Sequence, residues 1–155
     1  MIYVASDHAG FELKKALISH LESKGHDVED MGTHELNPDD DYPDFVYPCA
    51  HKVAVRRAQG QEDFGIVIGG SGQGEAIVAN KVKSIRAAVY YGGNLDIIKF
   101  SREHNDTNVL SLGARFLLED EAKKAVDLWL TTKFDTDSRH QRRHDKIAQI
   151  ENESS

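Results

Sequence analysis

The sequence contains little that would cross-link the chain or anchor it. Its 155 residues include one cysteine, three prolines and no apolar run long enough to span a membrane. The single cysteine, Cys49, excludes an intrachain disulfide and is typical of a reducing compartment. Free cysteines are usually buried, so we expect Cys49 to serve packing. Because Ile2-Tyr3-Val4-Ala5 follows the first residue without a signal peptide, we expect a cytoplasmic protein.

Positive charge is scarce as well. The chain has 19 Lys and Arg against 26 Asp and Glu, which gives a formal net charge of −7. Nonspecific nucleic-acid binding needs a basic surface, so we expect no nucleic-acid partner, and we expect no membrane partner either. The length fits one domain, 1–155, and 39% apolar residues are enough for a normal core.

Strand-like and helix-like segments alternate along the chain. Short apolar runs predict strands, and apolar residues three or four apart predict helices. The predicted strands are 1–6, 27–31, 64–68, 86–91 and 109–112. The predicted helices are 11–24, 42–59 (clearest from Pro48 onward), a helix that follows the glycine turn and ends at Val82, 94–104 with Asn94 as N-cap, 119–133 and a charged helix at about 138–150. This alternation indicates an α/β fold with a mostly parallel sheet covered on both faces.

The segment Gly69-Gly70-Ser71-Gly72-Gln73-Gly74-Glu75 is the clearest candidate for chemistry. It lies between a predicted strand and a predicted helix, where backbone N–H groups can approach an anion. No Gly-Lys-Ser/Thr follows, as a Walker loop requires, and the glycine spacing fits a dinucleotide fingerprint poorly. Glu75 would repel a phosphate held there. A carboxylate beside an anion hole is instead suited to remove a proton from carbon while N–H groups hold the oxyanion that forms.

Polar residues near strand ends are further candidates. Asp7 and His8 follow the first strand, where ligands of open α/β sheets bind. Asp7 is either a helix cap or a site residue, and His8 either decorates that helix or contacts a phosphate or hydroxyl group. His104 and Asn105 precede the fifth strand, either as a helix end and turn or as an acid–base residue with an amide donor. Arg115 follows the fifth strand.

The charged tail reverses the sign of the rest of the chain. A run of basic residues at 139–146 is typical of a solvated helix face. Arg139 and Arg143, however, are four residues apart and would form a two-guanidinium clamp for a phosphate. His140 and His144 have the spacing of a metal pair without a supporting third ligand, so we expect no metal.

Taken together, these segments resemble the ribose-5-phosphate isomerase B family. The resemblance covers about residues 2–150 and rests on Asp7-His8-Ala9-Gly10, Asp41-Tyr42-Pro43, the glycine-rich segment, His104-Asn105-Asp106-Thr107-Asn108 and Arg139-His140-x-x-Arg143. It implies a Rossmann-like three-layer α/β/α sandwich with a five-stranded, mostly parallel sheet. It also implies a cofactor-free homodimer, or a dimer of dimers, whose active sites are shared between chains.

The resemblance further implies an aldose–ketose isomerase. The reaction would interconvert D-ribose 5-phosphate and D-ribulose 5-phosphate by ring opening and proton transfer through a cis-enediolate. One branch of the family uses a cysteine at the position of Gly69 as the base. This chain is similar to the other branch, in which the glutamate at the position of Glu75 is the base. The resemblance therefore implies that Cys49 is not the base. His104 would then assist ring opening, with Asp7 or His8 as its partner.

Two groups of contacts follow from the same resemblance. The groups that hold the enediolate oxygens or relay a proton between them would be the backbone N–H groups of Gly70, Gly72 and Gly74 and the side chains of Ser71 and Asn105. The residues that bind the phosphate and the sugar would be Asp7, His8, Tyr42, Arg115, Arg139 and Arg143. Two alternatives stay open. One is a related isomerase for galactose 6-phosphate, allose 6-phosphate or a tetrose phosphate, and the other is a noncatalytic phosphosugar-binding module, in which Glu75 would have no use.

Overall fold

The predicted order of strands and helices is the order found in the structure, a computed structural model. It describes residues 1–154 and the side chains of 1–137 and 139–154; the predicted domain reaches one residue further, to Ser155, which lies outside the described residues. The strands are β1 Ile2–Ser6, β2 Val28–Asp30, β3 Phe64–Gly69, β4 Ala87–Tyr90 and β5 Val109–Gly113. The helices are a 3₁₀ turn His8–Gly10, α1 Phe11–Ser23, α2 Pro43–Ala58, α3 Gln73–Ala79, α4 Asp96–Glu103, α5 Glu119–Thr131 and α6 Ser138–Glu153.

Helix α2 begins at Pro43, one residue after the predicted start at Tyr42, because proline suits the first helical position. The exposed Pro48 lies inside this helix and leaves its missing hydrogen bond on the solvent side. Helix α3 ends at Ala79, before the predicted end at Val82. Asn94 does cap α4, but from outside the helix: its Oδ1 accepts the N–H of Asp96 at 2.9 Å.

The five strands form one sheet in the order β2-β1-β3-β5-β4, and every pairing is parallel. The prediction of a mostly parallel sheet is therefore confirmed, and the sheet is in fact entirely parallel. The chain places β2 on one side of β1 and β3 on the other, so the winding direction changes between β1 and β3. In open α/β sheets the ligand crevice lies at such a point, beyond the carboxyl ends of the strands.

Side chains alternate across the sheet and divide the core in two. On one face Val4, Ile66 and Leu110 pack with α1, α4 and α5, where Trp129 is fully buried. On the other face Tyr3 and Val67 pack with α2 and α3. Because successive side chains of a strand point to opposite faces of the sheet, each strand contributes to both cores. The three-layer α/β/α sandwich is therefore confirmed. In the part of the chain described, every helix is too short or too polar to cross a membrane.

Helix α6 is held at its ends and its middle rather than by a core face. Its N-cap is Asp137, whose carboxylate accepts the N–H of Arg139 at 2.9 Å. The ring of His140 stacks on that of His104 with centroids 4.3 Å apart. Near the other end, Glu151 accepts the N–H of Ser84 at 2.8 Å. These contacts fix α6 against residues that precede β4 and β5.

Candidate active site

Glu75 lies in the first turn of α3 and is only 4% exposed. The burial raises the pKa of its carboxyl group, and the nearby negative charge of Asp7 raises the pKa further, against a backbone hydrogen bond that lowers it. A carboxylate with a raised pKa is a better base at neutral pH than a solvated one. The position predicted for a base therefore has the environment that a base needs.

Gly69, the last residue of β3, makes room for that carboxylate. A Cβ built at Gly69 would overlap the carboxylate of Glu75. Any side chain at this position would therefore displace Glu75 from the end of the strand. The resemblance implies a cysteine at this position in the other branch of the family, and its side chain would overlap the carboxylate of Glu75.

The turn between β3 and α3 is fixed from both sides. Gly72 has a positive φ of 77°, and its carbonyl accepts the hydroxyl of Ser111 at 2.6 Å. Tyr42 covers Gly74, since a Cβ there would lie 2.6 Å from the tyrosine oxygen. Ser71 Oγ accepts the N–H of Gln73 at 3.3 Å, which leaves the hydroxyl able to donate its own proton. The structure thus places Tyr42 and the glycine-rich segment in one site.

The end of β1 faces this turn across the switch between β1 and β3. Asp7 is the cap of the 3₁₀ turn, with Oδ1 accepting the N–H groups of Ala9 and Gly10 at 2.9 and 3.2 Å. The capping alternative for Asp7 therefore holds, while its charge also reaches Glu75. His8 is half-buried, and its Nδ1 lies 2.6 Å from Oδ1 of Asp40. That hydrogen bond is the main reason why the pKa of His8 is raised.

Arg115 joins the same group after β5. A Cβ on Gly70 would lie 3.2 Å from its Nη1, so the guanidinium group lies over the glycine turn. Its charge opposes protonation of His8, which shows that the two cationic groups are close. Two cations that face one crevice favour an anion between them. The sequence showed only that Arg115 follows β5, whereas the structure places its guanidinium group over the glycine turn.

Among the described residues, Asp7, His8 and Asp40 form the group of side chains close enough together to hold a metal ion. One potential ligand atom of each lies within 4.8 Å of the others. Within this group Nδ1 of His8 lies 2.6 Å from Oδ1 of Asp40, which is a hydrogen-bond distance. The group therefore has the form of a hydrogen-bonded pair beside a capping carboxylate.

The remaining predicted residues lie at the opposite end of the sheet. His104 caps the end of α4 and is stacked between the rings of Phe100 and His140, at centroid distances of 4.8 and 4.3 Å. Asn105 follows it and is exposed. Arg139 and Arg143 are exposed on α6, and within residues 1–154 neither side chain forms an ion pair.

A single chain does not bring the two groups together. Glu75 lies against Gly69, which pairs with Gly113 at the carboxyl end of β5. His104 and Asn105 come before Val109, the first residue of the same strand. Four strand steps separate the two ends, roughly 13 Å at about 3.3 Å a residue. His104 and Asn105 therefore lie at one end of β5 and Glu75 at the other.

Cys49 lies apart from both groups. It is fully buried on α2, and its thiol contacts the carbonyl oxygen of Tyr3 at 3.5 Å. Burial raises the pKa of this thiol to about 12, which keeps it protonated and unreactive near neutral pH. As expected, Cys49 packs the core.

The profile of the ribose/galactose isomerase family matches residues 2–147. The chain belongs to the ribose/galactose isomerase family. Within this family it is similar to ribose-5-phosphate isomerase B from Mycolicibacterium paratuberculosis, with 41% identity over 150 residues that cover 97% of this chain and 91% of that protein.

Solved structures of the ribose/galactose isomerase family agree in fold. Ribose-5-phosphate isomerase B from Mycoplasma genitalium, crystallised with bound ribulose-5-phosphate, has a TM-score of 0.90 and 40% identity and covers 98% of this chain and 96% of its own. The Clostridium thermocellum ribose-5-phosphate isomerase B has a TM-score of 0.89 and 42% identity, with 99% of both chains covered. The Rossmann-like fold that the resemblance implied is thus confirmed.

The sequence analysis missed one residue of the site. Asp40 lies in the loop before α2, and its side chain is 6% exposed. In the sequence it is the middle residue of Asp39-Asp40-Asp41, and nothing in that run distinguishes a buried aspartate from its exposed neighbours. Only the return of the loop to the end of β1 identifies it.

Proposed function

We propose that this protein is a ribose-5-phosphate isomerase that interconverts D-ribose 5-phosphate and D-ribulose 5-phosphate. The observation that carries the proposal is a buried carboxylate, Glu75, beside a glycine-rich turn and two cationic side chains, His8 and Arg115. Relatives named ribose-5-phosphate isomerase B, one of them with bound ribulose-5-phosphate, favour this activity over an isomerase of galactose, allose or tetrose phosphates.

Proton transfer falls to Glu75 in this proposal. The carboxylate removes the C2 proton of the open-chain aldose, which gives a cis-enediolate, and returns that proton to C1. The proton of the C2 hydroxyl passes to the C1 oxygen, with Ser71 as the relay, so that the ketose forms with its C1 hydroxyl protonated. Backbone N–H groups of Gly70–Gly74, together with Ser71, hold the oxygens on which negative charge develops. Since water is largely excluded around Glu75, the base needs little reorganisation of solvent before it acts.

Binding of the phosphate falls to cations from both ends of the sheet. His8 and Arg115 contribute from the crevice, and Arg139 and Arg143 contribute from α6 of a second chain. The phosphate is remote from the reacting carbons, so its binding energy serves to align C1 and C2 with Glu75. Tyr42 lines the sugar pocket from its place over Gly74.

The proposed active form is a homodimer with two shared sites. His104 and Asn105 of one chain complete the site of the other, where His104 assists ring opening and Asn105 holds an enediolate oxygen. The separation of the two groups along β5 supports this arrangement. The whole chain acts as one isomerase domain, and a buried, protonated Cys49 suits the reducing cytoplasm in which we expect it.

The test is conversion of ribose 5-phosphate in deuterated water by the wild type and by Glu75→Gln. Wild type should form ribulose 5-phosphate and incorporate deuterium at carbon. Glu75→Gln should lose both by about 10²–10⁴-fold, because the amide cannot act as a base. Binding of ribose 5-phosphate, measured by calorimetry, should persist in the variant.

A matched control is Glu22→Gln, which makes the same chemical change on the exposed face of α1. It should convert substrate like the wild type. Rapid isomerisation by Glu75→Gln would contradict the assignment of the base. A folded wild type that binds phosphate and converts no ribose 5-phosphate would contradict the substrate, and other phosphorylated sugars would be tried next.

A further inference from the structure

His8 and Asp40 form a pair that neither the reaction nor the family motif segments account for. One oxygen of Asp40, Oδ1, contacts His8 twice: it accepts the backbone N–H at 3.1 Å and lies 2.6 Å from Nδ1 of the ring. The other oxygen, Oδ2, is buried and has no hydrogen-bond partner among the described residues. The Asp40 side chain is 6% exposed, whereas that of His8 is 29% exposed.

This geometry favours a charged pair. A buried carboxylate with an unpartnered oxygen is costly unless a cation compensates it. The imidazolium of His8 is the group in contact with it, and the acidic Asp7 adds a second negative charge on the same strand end. Arg115 is the charged group that opposes protonation of His8 from the side of β5. The two carboxylates, Asp7 and Asp40, outweigh the single guanidinium of Arg115, so the local charge favours the protonated form of His8.

The loop that carries Asp40 is built as a tight turn. Asn37 accepts the N–H of Asp40 through its carbonyl at 3.2 Å and the N–H of Asp39 through its side chain at 3.0 Å. The turn returns the chain toward β1 just before Pro43 begins α2. Asp40 therefore reaches His8 from a fixed backbone, while Asp39 on the same turn stays exposed.

We propose that Asp40 is a positioning residue that holds His8 as an imidazolium with Nε2–H directed at the substrate phosphate. With Nδ1 occupied by Asp40, Nε2 is the ring nitrogen left to contact a ligand. Asp40 itself does not contact the phosphate, which its own charge would repel. The inference rests on the proposed function, since it names the group that controls how that site binds the phosphate dianion.

The experiment compares Asp40→Asn with Asp39→Asn across pH 5.5 to 8.5. In Asp40→Asn the pKa of His8, followed by NMR of the ring, should fall below that of the wild type. The KM for ribose 5-phosphate should rise by about tenfold at pH 8 and approach the wild-type value near pH 5.5, where His8 is protonated in both. The kcat should change little. Asp39→Asn should match the wild type in all three quantities.

A double variant separates positioning from a general effect on the fold. In a His8→Asn background, Asp40→Asn should add nothing to the rise in KM, because the residue acts only through His8. An unchanged His8 titration in Asp40→Asn would overturn the proposal, and so would an equal rise of KM at every pH or an additive effect in the double variant. The His8 titration does not depend on turnover. A wild type without isomerase activity would therefore contradict the proposed function and leave this measurement intact.

Discussion

Gly69 and Gly70 are neighbours whose substitution should have different effects. Gly69→Ala puts a methyl group where the Glu75 carboxylate lies, whereas a methyl group on Gly70 meets the end of the flexible Arg115 side chain. Neither glycine has a positive φ, so backbone strain is the same small factor in both. We expect kcat to fall by about 10²-fold in Gly69→Ala, because a displaced base loses its alignment, and by much less in Gly70→Ala.

Steady-state kinetics of the two variants, with circular dichroism as a check of folding, measure the difference. Equal losses in both variants would mean that the turn as a whole, rather than the place of the carboxylate, controls the rate.

The raised pKa of Glu75 also predicts how stability depends on pH. Folding makes this carboxyl group harder to ionise, so its ionisation destabilises the folded state. The destabilisation is absent below the ordinary glutamate pKa of about 4.3 and grows as pH rises through the raised value. Glu75→Gln should therefore unfold at higher urea concentration than the wild type at pH 7, and the difference should shrink toward pH 4.

The control for this measurement is again Glu22→Gln, whose side chain is exposed in both states. A larger gain of stability for Glu75→Gln at pH 4 than at pH 7 would reverse the sign expected from burial.

Individual residues were predictable where their chemistry is local. Glu75 was distinguished in the sequence because a carboxylate after a glycine turn is unusual at an anion site, and its role as the base stays a prediction. Arg102 shows the opposite case, since its sequence context suggests a distal surface charge. In the structure it is 4% exposed and bonds Asp106 and the carbonyl of Thr107 at 2.8 and 2.6 Å. The ion pair joins residues four apart and is local, but the burial of Arg102 comes from contacts with the distant rings of Phe64 and Trp129, which local periodicity does not contain.

At the scale of elements, helix α6 fixes the positions of Arg139 and Arg143, which we propose to bind the substrate phosphate. Asp137→Ala removes the cap of the helix, which typically costs about 1 kcal/mol of helix stability. A frayed first turn would release Arg139, so we expect KM for ribose 5-phosphate to rise several-fold with a smaller change in kcat. Asp145→Ala, which removes the same charge from the middle of α6, is the control.

An effect of Asp145→Ala as large as that of Asp137→Ala would point to the charge of the helix rather than its cap. An unchanged KM in Asp137→Ala would mean that the stacking of His140 on His104 is enough to hold the helix.

The elements themselves followed from the sequence, but some of their ends did not. Strands β1 and β3 are apolar and buried on both faces, and such runs are easy to identify. The start of α2 was predicted to within one residue, at Tyr42, and the doubt that Pro48 raised about it has a physical answer: an exposed proline is tolerated inside a helix that tertiary contacts hold. The order of strands in the sheet was also beyond the sequence, since it depends on which strands pair over long separations.

At the scale of the whole molecule, the proposed shared site predicts that mixing two inactive variants restores activity, provided that each variant is changed in a different one of the two groups of site residues. Glu75→Gln and His104→Ala should each be nearly inactive alone. In a hybrid dimer, one site carries both changes and the other carries none. Random mixing gives hybrids in about half of the dimers, so about a quarter of wild-type activity should return.

The measurement is activity after the two variants are unfolded together and refolded, compared with each variant refolded alone. If both groups acted within one chain, every site of the mixture would still carry one change and no activity would return. This outcome would contradict the shared site and leave the identity of the base untouched.

The overlap of Gly69 and Glu75 has a consequence for chemical inhibition. The volume at the end of β3 holds the Glu75 carboxylate and leaves no room for a side chain on residue 69. The single cysteine of the chain, Cys49, is buried on α2. A thiol reagent directed at the end of β3 would therefore meet no cysteine there, and we expect the activity of this chain to resist it.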